Sequence, residues 1–88
     1  MKQVHLKIYG DVEGVGFRFF VRQQAKLLGL KGFVKNERGF VDVVAQGLDF
    51  KVDDFVHKCR RGPIMSSVTK VEVEDEPLSE FEDFEIRL

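Results

Sequence analysis

Nine consecutive residues combine flexible backbone with a cation and could bind an anion. They read Gly10-Asp11-Val12-Glu13-Gly14-Val15-Gly16-Phe17-Arg18, with three glycines within seven positions. Because glycine adopts positive φ without strain, such a loop can turn successive backbone N–H groups toward one point. A helix beginning there would add about 0.3–1 kcal/mol for a negative group, and Arg18 could offer its guanidinium fork to phosphate or carboxylate oxygens. The loop therefore predicts an anion site; the alternative is a flexible turn with a solvent-facing arginine.

The segments on either side of this loop have the periodicities of a strand and a helix. Val4, Leu6 and Ile8 alternate with polar residues, which is typical of a strand with one buried face. After the loop, apolar residues recur at helical spacing up to a glycine that favours a helix end. These residues are Phe17, Val21, Ala25 and Leu28, followed by Gly29.

The rest of the chain continues this alternation of strand and helix patterns. Further strands are predicted over 33–35, 40–45, 71–74 and 84–88, and a second helical stripe runs from Leu48 to Cys59 before Gly62-Pro63. The order β-α-β-β-α-β with a short terminal strand predicts an α+β fold. We expect a ferredoxin-like sandwich, in which an antiparallel sheet carries two helices on one face. No repeat or linker divides residues 1–88, so one domain is predicted.

Composition narrows the classes of partner. The 88 residues have a net charge of −1, but residues 1–38 carry eight Lys/Arg against three Asp/Glu, and residues 39–88 carry six against twelve. This asymmetry favours a small anionic ligand over nucleic acid, unless the charges simply mix in space. One cysteine and two histidines make a disulfide or a zinc site unexpected. No stretch approaches the ~20 apolar residues of a membrane helix. The prediction is a cytoplasmic monomer with no metal, cofactor, membrane or nucleic-acid partner.

Two motifs resemble those of the acylphosphatase family. Gly10–Arg18 is similar to its loop Gly-x-Val-Gln-Gly-Val-x-Phe-Arg, which enters a helix. Gly32-Phe33-Val34-Lys35-Asn36 is similar to its second motif, Gly-aromatic-x-basic-Asn. The glycines expected after that motif are matched by Gly39-Phe40-Val41 and Gly47. Since both motifs fall in the expected elements, the resemblance covers essentially the whole chain.

The resemblance implies hydrolysis of the carboxyl–phosphate bond of small acyl phosphates, without metal or cofactor. It assigns Arg18 to the phosphoryl group and Asn36 to the attacking water. Inorganic phosphate or another anion would occupy the same loop. The residues whose backbone amides would cradle the phosphoryl oxygens are Glu13, Gly14, Val15, Gly16, Phe17 and Arg18.

This chain departs from the family pattern at two places. Glu13 replaces the usual glutamine, and Asp11 the common basic residue. A carboxylate ~6 Å from a phosphoryl charge would cost about 3 kcal/mol per charge pair at an effective dielectric near 20, and less when solvated. In addition, only Glu37 and Arg38 separate Asn36 from Gly39, one residue fewer than usual. A carboxylate that points into the site is expected to lower affinity or rate. The shorter turn is expected to change the direction of Asn36, which would affect turnover more than binding.

Two other functions remain open from sequence. One is a phosphate-binding domain of the same family with weak or no turnover. The other is an RNA-recognition module, which shares the element order and whose third-strand motif Arg38-Gly39-Phe40 partly matches. Cys59 lies on an apolar helical stripe and is expected to be a buried core thiol rather than a nucleophile. Phe19 and Phe20 are expected to divide between the core and the rim of the site.

Overall fold

Alternating burial along the first strand shows how the sheet separates a core face from an open face. The computed structural model describes residues 1–14 and 16–88, and Val4, Leu6 and Ile8 of its first strand are buried. The described residues form five strands and two helices. In chain order they are β1 (Lys2–Asp11), α1 (Phe17–Leu27), β2 (Lys31–Glu37), β3 (Phe40–Gly47), α2 (Asp49–Arg61), β4 (Ser67–Glu76) and β5 (Phe84–Arg87).

The five strands form one sheet in the order β4-β1-β3-β2-β5. The first four pair antiparallel as predicted, but β5 lies parallel to β2. The cause is where the chain re-enters the sheet. Glu76, at the end of β4, pairs with Gln3, and β2 begins at this same end of the sheet because Lys31 and Gln3 both pair with Gln46. A strand that enters here beside β2 must run in its direction, and Gly32 donates a backbone hydrogen bond to Asp83 at 3.0 Å.

Both helices lie on one face of this sheet, which confirms the predicted sandwich. Helix α1 packs over β2 and β5, and α2 packs over β1, β3 and β4. Their buried residues belong to the predicted stripes, but Leu28 and Leu48 of those stripes lie just beyond the helix ends, and Leu48 is exposed. From α1 these are Phe17, Val21 and Ala25, and from α2 Val52, Phe55 and Cys59.

Two turns lie at the end of the sheet that carries the site, and a third lies at the opposite end. The loop predicted over 10–16 begins later, because Gly10 and Asp11 still pair with β4 after an irregularity at Tyr9/Gly10. Gly29, with φ 69°, follows the end of α1. The β2–β3 hairpin turns through Arg38 and Gly39 alone, and Gly39 has φ 90°.

The segment between β4 and β5 crosses the face of the sheet that the helices leave open, at the end opposite the site. There it covers Gln3 and Gln46, whose side chains are buried and hydrogen-bonded to each other. Within the described residues, neither helix has the length and apolar character needed to cross a bilayer.

Candidate active site

The predicted loop, the first turn of α1 and the end of β2 enclose a cavity of about 260 Å³. Arg18 and Asn36 both line it, although they belong to different elements. The structure therefore brings together the two side chains that the resemblance had paired. Val15, also predicted for the loop, lies outside the described residues. Among the described residues, the cavity is lined by Val12, Glu13, Gly14, Gly16, Phe17, Arg18, Phe19 and Asn36.

The start of α1 leaves backbone donors at this cavity. The first helical hydrogen bond runs from the Phe20 N–H to the Gly16 carbonyl at 3.0 Å, so the N–H groups of residues 17–19 have no acceptor within the helix. Among the described residues no side chain caps this helix, and no acidic residue lies in its first turn. The positive end of the helix dipole is therefore not neutralised locally, which favours an anion.

Two glycines of the loop adopt the left-handed conformation that this arrangement requires. Gly14 has φ 74° and Gly16 has φ 73°. A β-carbon at either position would meet no atom within 4 Å. Their role is therefore backbone conformation and not the avoidance of a clash.

Arg18 supplies the cation of the cavity. Its side chain is half-buried, and across residues 1–14 and 16–88 no carboxylate forms an ion pair with it. A guanidinium placed at unpaired backbone donors, without a carboxylate partner, is arranged to receive an anionic group.

Asn36 reaches the same cavity because of its strand register. It is two residues after buried Val34 and pairs with Val41, so its side chain lies on the helix side of the sheet. The one-residue shortening leaves this register intact, since Glu37 and Phe40 pair directly across the turn. The amide of Asn36 can both donate to and accept from water.

Glu13 and Asp11, the two acidic residues that differ from the family pattern, lie in different places. Exposed Glu13 lines the site cavity and also a neighbouring cavity of about 340 Å³ toward the hairpin. Among the described residues, Asp11 lines that neighbouring cavity together with Gly39 and Phe40 and does not line the site cavity. Of the two carboxylates, Glu13 is therefore the one at the site cavity.

The structure also decides between the adjacent phenylalanines. Phe20 packs against buried Phe17 with ring centroids 6.0 Å apart, whereas Phe19 is 62% exposed at the cavity rim. Val12 is the lining residue that the sequence analysis did not include. Val12 is an apolar residue between Asp11 and Glu13, a pattern that could have indicated its burial, and its side chain is buried.

Comparison with known proteins identifies the family of this chain. The acylphosphatase family model matches residues 4–86. The chain belongs to the acylphosphatase family. It is 41% identical over 86 residues to the acylphosphatase of Archaeoglobus fulgidus, which covers 94% of this chain and 97% of that protein.

Solved structures of acylphosphatases have the same fold. The crystal structure of the Bacillus subtilis acylphosphatase superposes with a TM-score of 0.97 at 34% identity and full coverage of both chains. A full-length HypF in its phosphate- and nucleotide-bound form contains a similar region, with TM-score 0.93 and 29% identity. That match covers 98% of this chain and 12% of HypF. The predicted family, ferredoxin-like fold and hydrolase class are confirmed. Neither alternative, the phosphate-binding domain without turnover or the RNA-recognition module, is favoured.

The remaining reactive side chains of this acylphosphatase family member lie elsewhere. Cys59 is fully buried in α2, and burial raises its thiol pKa to about 12. The prediction of a core thiol is thus confirmed. His5 contacts Asp42 on the open face of the sheet. Among the described residues no group of three or more His, Cys, Asp or Glu side chains is placed to hold a metal ion.

Proposed function

We propose that this acylphosphatase family member hydrolyses small acyl phosphates through Arg18, Asn36 and the loop amides. The observation that carries the assignment is the shared cavity of Arg18 and Asn36, next to helical N–H groups that lack acceptors. The amides of the loop and of the first helical turn hold the phosphoryl oxygens. Arg18 adds charge-assisted hydrogen bonds to the same group.

In the proposed reaction, the oxygen of a water molecule held by Asn36 attacks phosphorus. The bond between phosphorus and the bridging oxygen breaks, and the acyl group leaves as a carboxylate. Asn36 orients the water but takes no proton at neutral pH, so the proton of the water goes to a phosphoryl oxygen. Since a carboxylate is a good leaving group, positioning and charge stabilisation supply most of the catalysis.

The side chains that line the cavity are consistent with attack by water. Among the described residues that line it, the polar side chains are those of Glu13, Arg18 and Asn36. None of these is a thiol, hydroxyl or imidazole, so the proposal assigns the attack to water and forms no covalent enzyme intermediate.

We further propose a monomer in the cytoplasm that binds inorganic phosphate as a product. A monomer is supported by the two sheet edges, because β4 and β5 carry exposed charges such as Glu74 and Glu85. Edge charges oppose pairing with a second sheet.

The test is hydrolysis of benzoyl phosphate in EDTA, combined with calorimetric titration of inorganic phosphate. Arg18→Gln is expected to lower kcat/KM about 10²-fold or more and to weaken phosphate binding, because it removes charge stabilisation. Asn36→Ala is expected to lower kcat about 10²-fold while phosphate still binds. The matched control Arg60→Gln removes one charge from exposed α2 surface and should change neither measurement.

The outcomes separate the two candidate activities. If the native chain binds phosphate through Arg18 but releases no benzoate, the protein is a phosphate-binding domain without turnover. If Asn36→Ala retains full activity, another group positions the water and the assignment of Asn36 is wrong. Urea unfolding of each variant confirms that lost activity is not lost structure.

A further inference from the structure

Helix α1 carries a row of cations that starts at the catalytic cavity. Arg18, Arg22 and Lys26 follow one another at four-residue spacing. Because an α-helix rises about 1.5 Å per residue, successive members of this row are separated by about 6 Å along the axis. A ligand whose phosphoryl group lies at Arg18 therefore has a second cation one turn away.

A groove of about 500 Å³ follows this row along the exposed side of α1. Its lining residues are Phe19, Arg22, Gln23, Lys26 and Leu27. Phe19 lines both this groove and the catalytic cavity, which makes the two spaces neighbours. Leu27 is 70% exposed at the far end, so the groove offers apolar surface beside the cations.

Arg22 is the cation of this groove that an anionic ligand can engage. Lys26 forms an ion pair with Asp83 at 3.0 Å. Arg22 lies over the Phe19 ring at 5.6 Å and forms no ion pair within residues 1–14 and 16–88. The hydrogen bond from Lys26, the Phe84 N–H and, at longer range, Arg22 hold the pKa of Asp83 below its usual range. Asp83 therefore attracts Arg22 only at longer range, and Lys26 already neutralises it.

Among the described residues, the other space beside the site cavity is lined by carboxylates and by no cation, although Lys7 lies over the outer lining residue Phe40 at 5.3 Å. Asp11 and Glu13 line the cavity toward the hairpin, together with Phe40. An acyl group that carries a second negative charge is repelled on that side and attracted on the α1 side. The two neighbouring spaces therefore differ in the charge of the side chains that line them.

We propose that the α1 groove binds the acyl part of the substrate and selects acyl phosphates with a second anionic group. The apolar body of such a substrate packs on Phe19, and its far carboxylate pairs with Arg22 about one helical turn from the phosphoryl group. This selectivity rests on the proposed function, because it takes Arg18 as the phosphoryl ligand.

The probes are two phosphonates that cannot be hydrolysed. In each, a methylene group replaces the bridging oxygen of benzoyl phosphate, and one of them carries a carboxylate meta to the carbonyl. The meta position prevents closure to a cyclic anhydride in the corresponding substrate. Since these ligands need no turnover, their dissociation constants test the groove separately from catalysis.

Calorimetry at 0.15 M salt should show tighter binding of the carboxylated phosphonate to the native protein. Arg22→Gln should reduce the ratio of the affinity for the carboxylated phosphonate to that for the plain one about five-fold, because it removes a solvent-exposed ion pair. Arg60→Gln removes the same charge from α2 and should leave this ratio unchanged. Phe19→Ala should weaken both aromatic phosphonates while the affinity for inorganic phosphate changes less.

Two results would overturn the groove assignment. One is a plain phosphonate that binds as tightly as the carboxylated one; the other is a ratio that Arg22→Gln does not alter. Hydrolysis of benzoyl and 3-carboxybenzoyl phosphate is measured in parallel. A native protein that hydrolyses neither contradicts the proposed function, while the phosphonate ratio still decides whether the groove binds the second anion.

Discussion

Gly10 of β1 and Ser67 of β4 approach so closely that no side chain fits between them. A β-carbon on Gly10 would lie 2.1 Å from the Ser67 carbonyl oxygen and 2.9 Å from the Thr69 backbone nitrogen. Gly10 also has φ 132°, a conformation that L residues rarely adopt. This contact joins the end of β1, just before the site loop, to the edge strand of the sheet.

Gly10→Ala is therefore expected to destabilise the protein by about 3 kcal/mol, because both clashing atoms belong to the backbone and cannot rotate away. Urea unfolding followed by circular dichroism measures the change. Gly14→Ala is the matched control, since it meets no atom within 4 Å and should cost only the ~1–2 kcal/mol of a left-handed residue. Equal losses for the two variants would mean that the strands separate freely at Gly10.

Replacing Glu13 tests whether the acidic loop opposes catalysis. Glu13→Gln is expected to raise kcat/KM for benzoyl phosphate about three-fold, because an exposed carboxylate ~6 Å from a phosphoryl charge costs about 0.7 kcal/mol at the dielectric of water. The gain should shrink as salt is added. Asp11→Asn is the control, since Asp11 does not line the site cavity, and its gain should be smaller. An unchanged or lower kcat/KM for Glu13→Gln shows that this carboxylate does not hinder the site.

The buried thiol of Cys59 predicts a loss of stability at alkaline pH. Burial raises its pKa from 9.0 to about 12, so above pH 9 the unfolded state releases a proton that the folded state keeps. This contribution is complete below pH 9 and is lost as the pH rises toward 12, with a slope of at most about 1.4 kcal/mol per pH unit.

Urea unfolding at pH 8, 9, 10 and 11 under reducing conditions measures that slope. Cys59→Ser isolates the contribution of the thiol, because Tyr9 and Lys2, whose pKa values are also raised, are present in both proteins. The difference in the free energy of unfolding between the two should narrow as the pH rises. Parallel pH profiles would show that the thiol does not ionise on unfolding.

A buried hydrogen-bond network holds the crossing between β4 and β5. The side-chain amide of Gln46 donates to Gln3 Oε1 at 2.9 Å and to the Ser79 carbonyl at 2.6 Å. The Ser79 N–H donates to Gln3 Oε1 at 2.7 Å. Gln46→Ala is expected to cost about 1–3 kcal/mol, because it leaves buried acceptors with fewer donors.

A double-mutant cycle with Gln3→Ala tests the coupling of this network. If the losses of unfolding free energy in the two single variants add up to that of the double variant within about 0.5 kcal/mol, Gln3 and Gln46 are not coupled. Residues in direct contact normally couple more strongly. Gln23→Ala, on exposed α1 surface, serves as the control and should change stability by no more than about 0.5 kcal/mol.

Local patterns were sufficient to predict the elements of this protein. The alternation of Val4, Leu6 and Ile8 and the helical recurrence of Phe17 and Val21 are set by neighbouring residues, and each element buries the face that its period indicates. The glycines of the loop likewise predicted left-handed backbone, which Gly14 and Gly16 adopt. The family resemblance added the pairing of Arg18 with Asn36, which periodicity alone does not reveal.

Contacts between distant segments were decided only by the tertiary structure. Strand pairing depends on where the chain re-enters the sheet, so the parallel position of β5 beside β2 had no local signal. Phe19 and Phe20 are the same residue type in consecutive positions, and only the packing of α1 on the sheet sends Phe20 inward and leaves Phe19 at the rim. The sequence by itself determined which residue types are available for the proposed phosphoryl site. Their meeting in one cavity required strand register and helix packing, because both join residues that lie far apart along the chain.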